Sequence, residues 1–244
     1  METKINFIDS DTRRRFIERE IASGEFYRNK DGIILSKEYP ENEKNNYKKK
    51  FWHHKNYKNK ERDHYKVVLN LCETYYKNAD TILDVGAGSG YFGRMYVNKF
   101  SPKKYVLYDA SIDQIKKIAK EFKNQEGTEI QIKYQSFRHI SESELTRYDC
   151  VISLQVFEYI NWDKEFLSKI SPGTWVFFSV PSVPKSLSDK PSLAVRLFLT
   201  PDSILYRYKS LLDIYEIKEV HRQYHNISFH RYPRKWAIVA QKKR

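Results

Sequence analysis

The rhythm of apolar and polar positions changes near residue 80. From Asp80 onward, short apolar runs alternate with amphipathic stretches. The runs Thr81–Val85, Lys104–Tyr108, Glu129–Tyr134, Tyr148–Leu154 and Thr174–Ser179 have the length and residue types of strands. The stretches Tyr91–Lys99, Ile112–Phe122, Trp162–Ile170 and Pro201–Leu212 place apolar residues at helical spacing. Strands alternating with helices predict βαβ crossovers and a parallel sheet covered on both faces. Two last runs, Ile214–Val220 and Lys235–Gln241, have no helix between them and are expected to pair antiparallel at the end of the sheet. The pattern therefore predicts an α/β fold of mostly parallel strands ending in an antiparallel pair.

Upstream, residues 1–79 are polar, basic and aromatic. Helices are predicted at about Thr12–Ser23, capped by Asp11 or Ser10, and at about Arg62–Lys77, where Val67, Val68, Leu71 and Tyr75 recur on one face. Between them, Phe26–Lys60 reads as irregular or briefly extended chain. The expected organisation is an N-terminal helical and irregular extension, or lid, over 1–79 and a main domain over 80–244. No apolar run approaches the roughly 18 residues that cross a bilayer, so no membrane span is expected. Cys72 and Cys150 belong to no CxxC pair. Reduced thiols and a cytoplasmic setting follow as the expectation.

The chemistry concentrates in Ile82-Leu83-Asp84-Val85-Gly86-Ala87-Gly88-Ser89-Gly90. This stretch leaves a buried strand, passes three glycines and enters a helix at about Tyr91. Glycine there permits positive φ and lets a ligand lie against the backbone. The helix N-terminus beyond it offers unpaired N–H groups. About 20 residues later a second strand ends at Asp109, where a carboxylate can accept hydrogen bonds from both hydroxyls of a ribose. Two cofactor classes fit such a site. Gly88-Ser89-Gly90-Tyr91-Phe92-Gly93 matches the dinucleotide fingerprint G-x-G-x-x-G. However, the turn begins at Gly86, and Asp84 at the strand end would repel a pyrophosphate while suiting a cationic amino group. A nucleoside carrying an amino acid fits better.

Four stretches carry a resemblance to class I, Rossmann-like S-adenosylmethionine-dependent methyltransferases. Ile82–Gly90 resembles their first motif and Val106–Ser111 their second. Asp149–Ile160 is similar to the motif on their fourth strand, and Pro172–Pro181 to that on their fifth. The resemblance implies S-adenosyl-L-methionine as cofactor. It implies that Gly86, Gly88 and Gly90 line it, that Asp84 holds its methionine end, and that Asp109, with Ala110 beside it, binds the ribose. Ser136 and Phe137 fall where relatives contact adenine, without the aspartate often found there. Gln155 would face the methionine portion. Glu158 and Tyr159 occupy the position of the family's Glu-His pair and are the candidate catalytic residues.

The acceptor depends on what lies outside this shared part. The leader 24–52 resembles that of bacterial methyltransferases acting on surface sugars and small metabolites, which implies an oxygen or nitrogen of a small or sugar-linked acceptor. The charge balance, 44 − 31 = +13, raises a second reading. Residues 44–66 interleave nine Lys and Arg with Tyr47, Phe51, Trp52 and Tyr57, a composition suited to an RNA partner as well as to a lid over the cofactor. A non-catalytic binding module is the third reading. Residues 181–201 form a long proline-bounded loop. His221, His225 and His230 find no carboxylate to complete a cluster, so no metal is expected. Arg13-Arg14-Arg15 and Lys242-Lys243-Arg244 read as solvated ends.

Overall fold

The computed structural model describes residues 2–6, 11–24, 26–36, 63–182, 196–221 and 234–244. In chain order its strands are β1 (Lys4–Asn6), β2 (Phe26–Arg28), β3 (Ile34–Ser36), β4 (Thr81–Val85), β5 (Lys104–Asp109), β6 (Glu129–Tyr134), β7 (Cys150–Leu154), β8 (Trp175–Pro181), β9 (Leu212–His221) and β10 (Arg234–Lys242). Its α-helices are α1 (Asp11–Ala22), α2 (Asp63–Tyr75), α3 (Tyr91–Phe100), α4 (Ile112–Glu121), α5 (Glu142–Leu145), α6 (Asp163–Lys169) and α7 (Pro201–Tyr208). Short 3-10 turns lie at Phe137–His139 and Phe157–Tyr159.

The main sheet runs β1-β9-β10-β8-β7-β4-β5-β6. Strand β10 is antiparallel to both β8 and β9, and the other pairings are parallel. Two reversals leave β9 pointing the same way as β8. The carboxyl ends of all the strands except β10 therefore share one edge of the sheet, where ligand crevices form in open α/β folds. The predicted terminal pair is present, and β1 adds one strand outside it. Strand β1 has no alternation to betray it: its three residues are exposed and join the sheet through backbone pairing with Glu216–Lys218 of β9.

Alternate residues of each strand feed two cores, as pleating requires. Leu83, Val85, Val106, Val151, Val176 and Phe178 face α5, α6 and α7. Ile82, Tyr105, Leu107, Cys150, Ile152 and Phe177 face α2, α3 and α4. Helix α2 thus packs in the same core as the strands that follow residue 80. A smaller cluster joins Phe16 and Ile17 of α1 to Phe26, Ile34, Leu197 and Leu199, with Tyr159 against it. The extended chain expected after Phe26 appears as the β2–β3 hairpin, closed by Asn29, whose Oδ1 accepts from the N–H groups of Asp31 and Ile33. Among the described residues no helix is long and apolar enough to cross a membrane.

Two expectations need correction. The helix predicted over Pro201–Leu212 stops at Tyr208, because Leu212 already pairs with Lys242 as the first residue of β9. Nor are both arginine- and lysine-rich ends simply solvated. Arg13 is 1% exposed, ion-paired with Glu219 and lying over the Trp236 ring, and Lys242 completes β10. A charge run in sequence does not reveal that one member of it points inward.

The fold also buries a carboxylate, Asp163 at the start of α6. It accepts from Arg207 Nε at 2.7 Å and Nη2 at 2.5 Å, from Tyr208 Oη at 2.7 Å and from Arg196 Nη1 at 3.4 Å. Breaking one side of a buried ion pair leaves uncompensated charge, which typically costs about 3–5 kcal/mol. Asp163→Asn is therefore expected to lower stability by about that amount, read as a fall in the urea midpoint with unchanged slope.

Candidate cofactor and active site

The glycine turn is built as the sequence pattern predicts. Gly86, Gly88 and Gly90 all have positive φ, at 67°, 59° and 76°. Backbone N–H groups of Gly86 and Ala87 both donate to Tyr108 O, at 2.8 and 3.0 Å, which anchors the turn to the end of β5. The three positions serve different ends. A Cβ on Gly86 would come within 2.4 Å of Val156 Cγ2, and one on Gly90 within 3.2 Å of Ile118 and Phe122. A Cβ on Gly88 would meet nothing within 4 Å. Gly88 thus borders open space at the carboxyl edge. Gly93, which completes the dinucleotide fingerprint, lies against Tyr105 and Leu107 of β5, so helix packing accounts for that glycine.

Asp109 faces this turn. Its Oδ2 accepts from Gly88 N at 2.9 Å and its Oδ1 from Ser111 N at 2.8 Å. A carboxylate has about four acceptor positions, so each oxygen keeps capacity for a further donor. Burial pushes its pKa up to about 6, against the lowering effect of the Ser111 and Gly88 N–H groups. Asp84 lies deeper, 3% exposed, with Tyr105 Oη donating to its Oδ2 at 3.0 Å. Burial raises it to about 7; the Tyr105 bond pulls down and the charge of Asp109 pushes up.

Other expected residues divide. Gln135 N donates to Asp109 O at 3.2 Å, bringing the chain before Ser136 next to the end of β5. The Ser136 hydroxyl itself accepts from Arg138 N at 3.4 Å and caps the 3-10 turn. The Phe137 ring is buried in the core against Trp162 and Phe166, with centroids 4.6 and 5.0 Å away. Gln155 adopts φ 62°, uncommon for a residue other than glycine, and donates its N–H to Ser179 O at 2.9 Å. That bend carries Val156 over Gly86. Ala110 follows Asp109 at the strand end and is half-buried.

Past this bend, Glu158 and Tyr159 lie on the second 3-10 turn. Glu158 is 3% exposed and its Oε2 has no hydrogen-bond partner. Burial pushes its pKa well up, opposed first by a hydrogen bond from its own backbone N–H and then by the positive charges of Lys235 and Arg196. Tyr159 is half-buried between two of the apolar clusters. Sequence reasoning did not single out Val156, Arg196 or Tyr65. Tyr65, in the first turn of α2, packs its ring 5.4 Å from Phe92 and 6.4 Å from Tyr91, just where the chain leaves the glycine turn. An aromatic residue at the last step of the basic stretch was the available signal. Most of the 44–66 segment, residues 183–195 of the long loop, the His221 side chain, His225 and His230 lie outside the described residues.

A mostly parallel sheet with a reversed strand β10, a glycine turn after β4 and a carboxylate ending β5 define the class I, Rossmann-like methyltransferase scaffold. Comparison with known proteins agrees. Residues 83–172 match the family model for a methyltransferase domain. None of the curated proteins matches the sequence. Among solved structures, the N-methyltransferase NodS from Bradyrhizobium japonicum WM9, in complex with S-adenosyl-L-homocysteine, is similar over 96% of this chain and 100% of its own, at 13% identity and a TM-score of 0.56. The 1,6-didemethyltoxoflavin-N1-methyltransferase from Burkholderia thailandensis is similar over 75% of this chain and 80% of its own, at 12% identity and a TM-score of 0.56. The cyclase SpnF is also similar, over 73% of this chain and 81% of its own, at 12% identity and a TM-score of 0.55. At such identities the likeness establishes the fold.

Two outcomes follow from this geometry. Gly86→Ala forces its methyl group into Val156 and should abolish S-adenosylmethionine binding in a calorimetric titration. Adding Val156→Ala should restore only part of it, because the positive φ remains strained. The second concerns pH. Asp84 holds its proton more tightly folded than unfolded, so the folded state binds more protons between about pH 4 and about 7. Stability is greatest below that window and falls as pH rises through it, by an amount on the order of a few kcal/mol. Urea unfolding from pH 4 to 8 should show a shallower fall for Asp84→Asn.

Proposed function

We propose that this chain moves a methyl group from S-adenosylmethionine to an oxygen or nitrogen of a small metabolite or sugar-linked acceptor. One observation carries the reading: open space borders Gly88 while the Asp109 carboxylate is held against the same turn. That arrangement fits an adenosyl group, with its sugar hydroxyls on Asp109 and Ala110 alongside. Gly86, Gly88 and Gly90 would let the cofactor approach the backbone, Asp84 would balance its ammonium group, and Gln155 would face its methionine portion. The chain at 135–137, including Ser136, would meet adenine through backbone groups. Bound there, S-adenosylmethionine supplies a methyl group on a sulfonium sulfur, open to in-line attack.

The protein's part is then alignment, exclusion of water and management of one proton. A neutral O–H or N–H acceptor loses its proton as the new bond to carbon forms. Glu158 would accept it when ionised, and Tyr159 would pack beside the acceptor. Burial favours the protonated carboxyl, and Lys235 and Arg196 favour the ionised one. A nitrogen acceptor draws support from the N-methyltransferases among the similar structures. Two buried free thiols, Cys72 and Cys150, suit a reducing cytoplasm.

Calorimetry with S-adenosylmethionine, followed by a labelled-methyl assay against metabolite and RNA pools, tests the proposal. Asp109→Ala should weaken cofactor binding by about 1–3 kcal/mol through lost charged hydrogen bonds. An unchanged affinity would remove Asp109 from the ribose site. Intact binding with no transfer to any pool would make the chain a cofactor-binding module.

A further inference from the structure

The turn that carries Glu158 is held by Arg196, in the chain that leads into α7. Arg196 donates its backbone N–H to Glu158 O at 2.9 Å. Its guanidinium donates Nη1 to Phe157 O at 3.3 Å and to Asp163 Oδ2 at 3.4 Å, and Nη2 to Asn161 Oδ1 at 3.0 Å. Residues 157, 161 and 163 are thereby gathered on a single side chain that is 8% exposed, and residue 158 on the backbone of the same residue. A planar five-donor fork can serve several acceptors at once where a lysine point charge cannot.

We propose that Arg196 is a positioning residue of the active site, clamping the 157–163 segment and through it placing the Glu158 carboxyl. The inference rests on the reading of Glu158 as the group that receives the acceptor's proton. Glu158 is buried, its Oε2 has no hydrogen-bond partner, and its carboxyl accepts from the backbone N–H of its own residue. Its orientation is therefore inherited from the backbone of its own turn, and two of the bonds that fix this backbone come from Arg196.

The charge arithmetic points the same way. The cations acting on Glu158 are Lys235, at the start of β10, and Arg196. Behind Arg196 lies Asp163 of α6, itself bound by Arg207 and Tyr208 of α7. Asp163 is already supplied by Arg207 with two short bonds. It holds Arg196 in place through one longer contact, and part of the Arg196 charge remains effective at Glu158. Without Arg196 the carboxyl would lose one of its two cations, and burial would keep it protonated to higher pH.

The test follows the Glu158 side chain directly by carbon-13 NMR of glutamate-labelled protein across pH, the resonance being assigned by its loss in Glu158→Gln. Arg196→Gln should raise the Glu158 midpoint by about one pH unit, since an opposite charge nearby is removed. Arg196→Lys, which keeps the charge and loses the fork, should return it partway. Cofactor affinity should stay unchanged in both. Should Arg196→Gln fail to fold, Arg196→Met, which keeps the apolar stem, carries the same measurement. A Glu158 midpoint that does not move in a folded, charge-removing variant overturns the proposal. The functional reading fails separately: wild-type protein that binds no S-adenosylmethionine would sink it and leave the effect of Arg196 on Glu158 standing.

Discussion

The hydrogen bond from Gly88 N to the Asp109 carboxylate is the constraint on which the site depends. A chain leaving β4 through three positive-φ glycines has little of its own to hold its shape, since glycine gives up more backbone freedom on ordering than any other residue. Asp109 supplies the missing restraint from the neighbouring strand. Its second oxygen takes Ser111 N, ahead of α4, so one side chain fastens two successive βα turns. Both bonds use backbone donors, and neither exhausts the lone pairs of the oxygen that accepts it. The carboxylate can therefore organise both turns and still accept a further donor. Tyr108 O adds the complementary restraint, accepting from Gly86 and Ala87 one residue earlier.

The same logic ties β4 to β7 on the other side. Gly86 lacks a side chain because Val156 fills the place one would need. Val156 stands there because Gln155, in the left-handed region and bonded to Ser179 O, bends the chain immediately after β7. A residue other than glycine held at positive φ costs of order 1–3 kcal/mol, and it persists only where surrounding structure over-determines it. Here that surrounding is a sheet buried on both faces. The strained positions gather where the parallel strands end, and the apolar clusters on either face of the sheet supply the stability that tolerates them.

How much of this the sequence disclosed depended on whether a residue's surroundings are local. The central strands were legible because both faces of a parallel sheet are buried, leaving apolar runs too short for helices. Gly86 to Gly90 and Asp109 were legible because backbone freedom and a strand-end carboxylate are chemical requirements visible in residue type. Strand β1 was not, since three exposed residues joined by backbone bonds leave no pattern. The burial of Arg13 was not, because its partner Glu219 lies 206 residues away. The helix beginning at Pro201 was given too many turns because Leu211 and Leu212 continue its periodicity while belonging to the approach to β9. Phe137 was placed at the adenine by its position in a motif. The structure spends its ring on the core, a choice decided by Trp162 and Phe166.

The similar structures sharpen where the chemistry must be sought. Two N-methyltransferases and a cyclase resemble this chain about equally in fold. Sheet order and the glycine turn thus cannot distinguish reactions, because they build the crevice and no more. The discriminating groups must lie beyond the carboxyl ends of β7 and β8, where an acceptor would meet the cofactor. In this chain that region holds a carboxyl shut away from water, without a histidine beside it at position 159 and with Lys235 and Arg196 as its countercharges. A histidine titrates near neutrality with little help. A buried glutamate reaches the same range by the opposite route: desolvation lifts it and nearby cations hold the rise in check. The departure from the family's Glu-His pair is therefore compatible with proton transfer near neutral pH, provided that the cations stay in place. Because Lys235 comes from the reversed strand β10 and Arg196 from the chain leading into α7, that provision does not depend on the glycine turn.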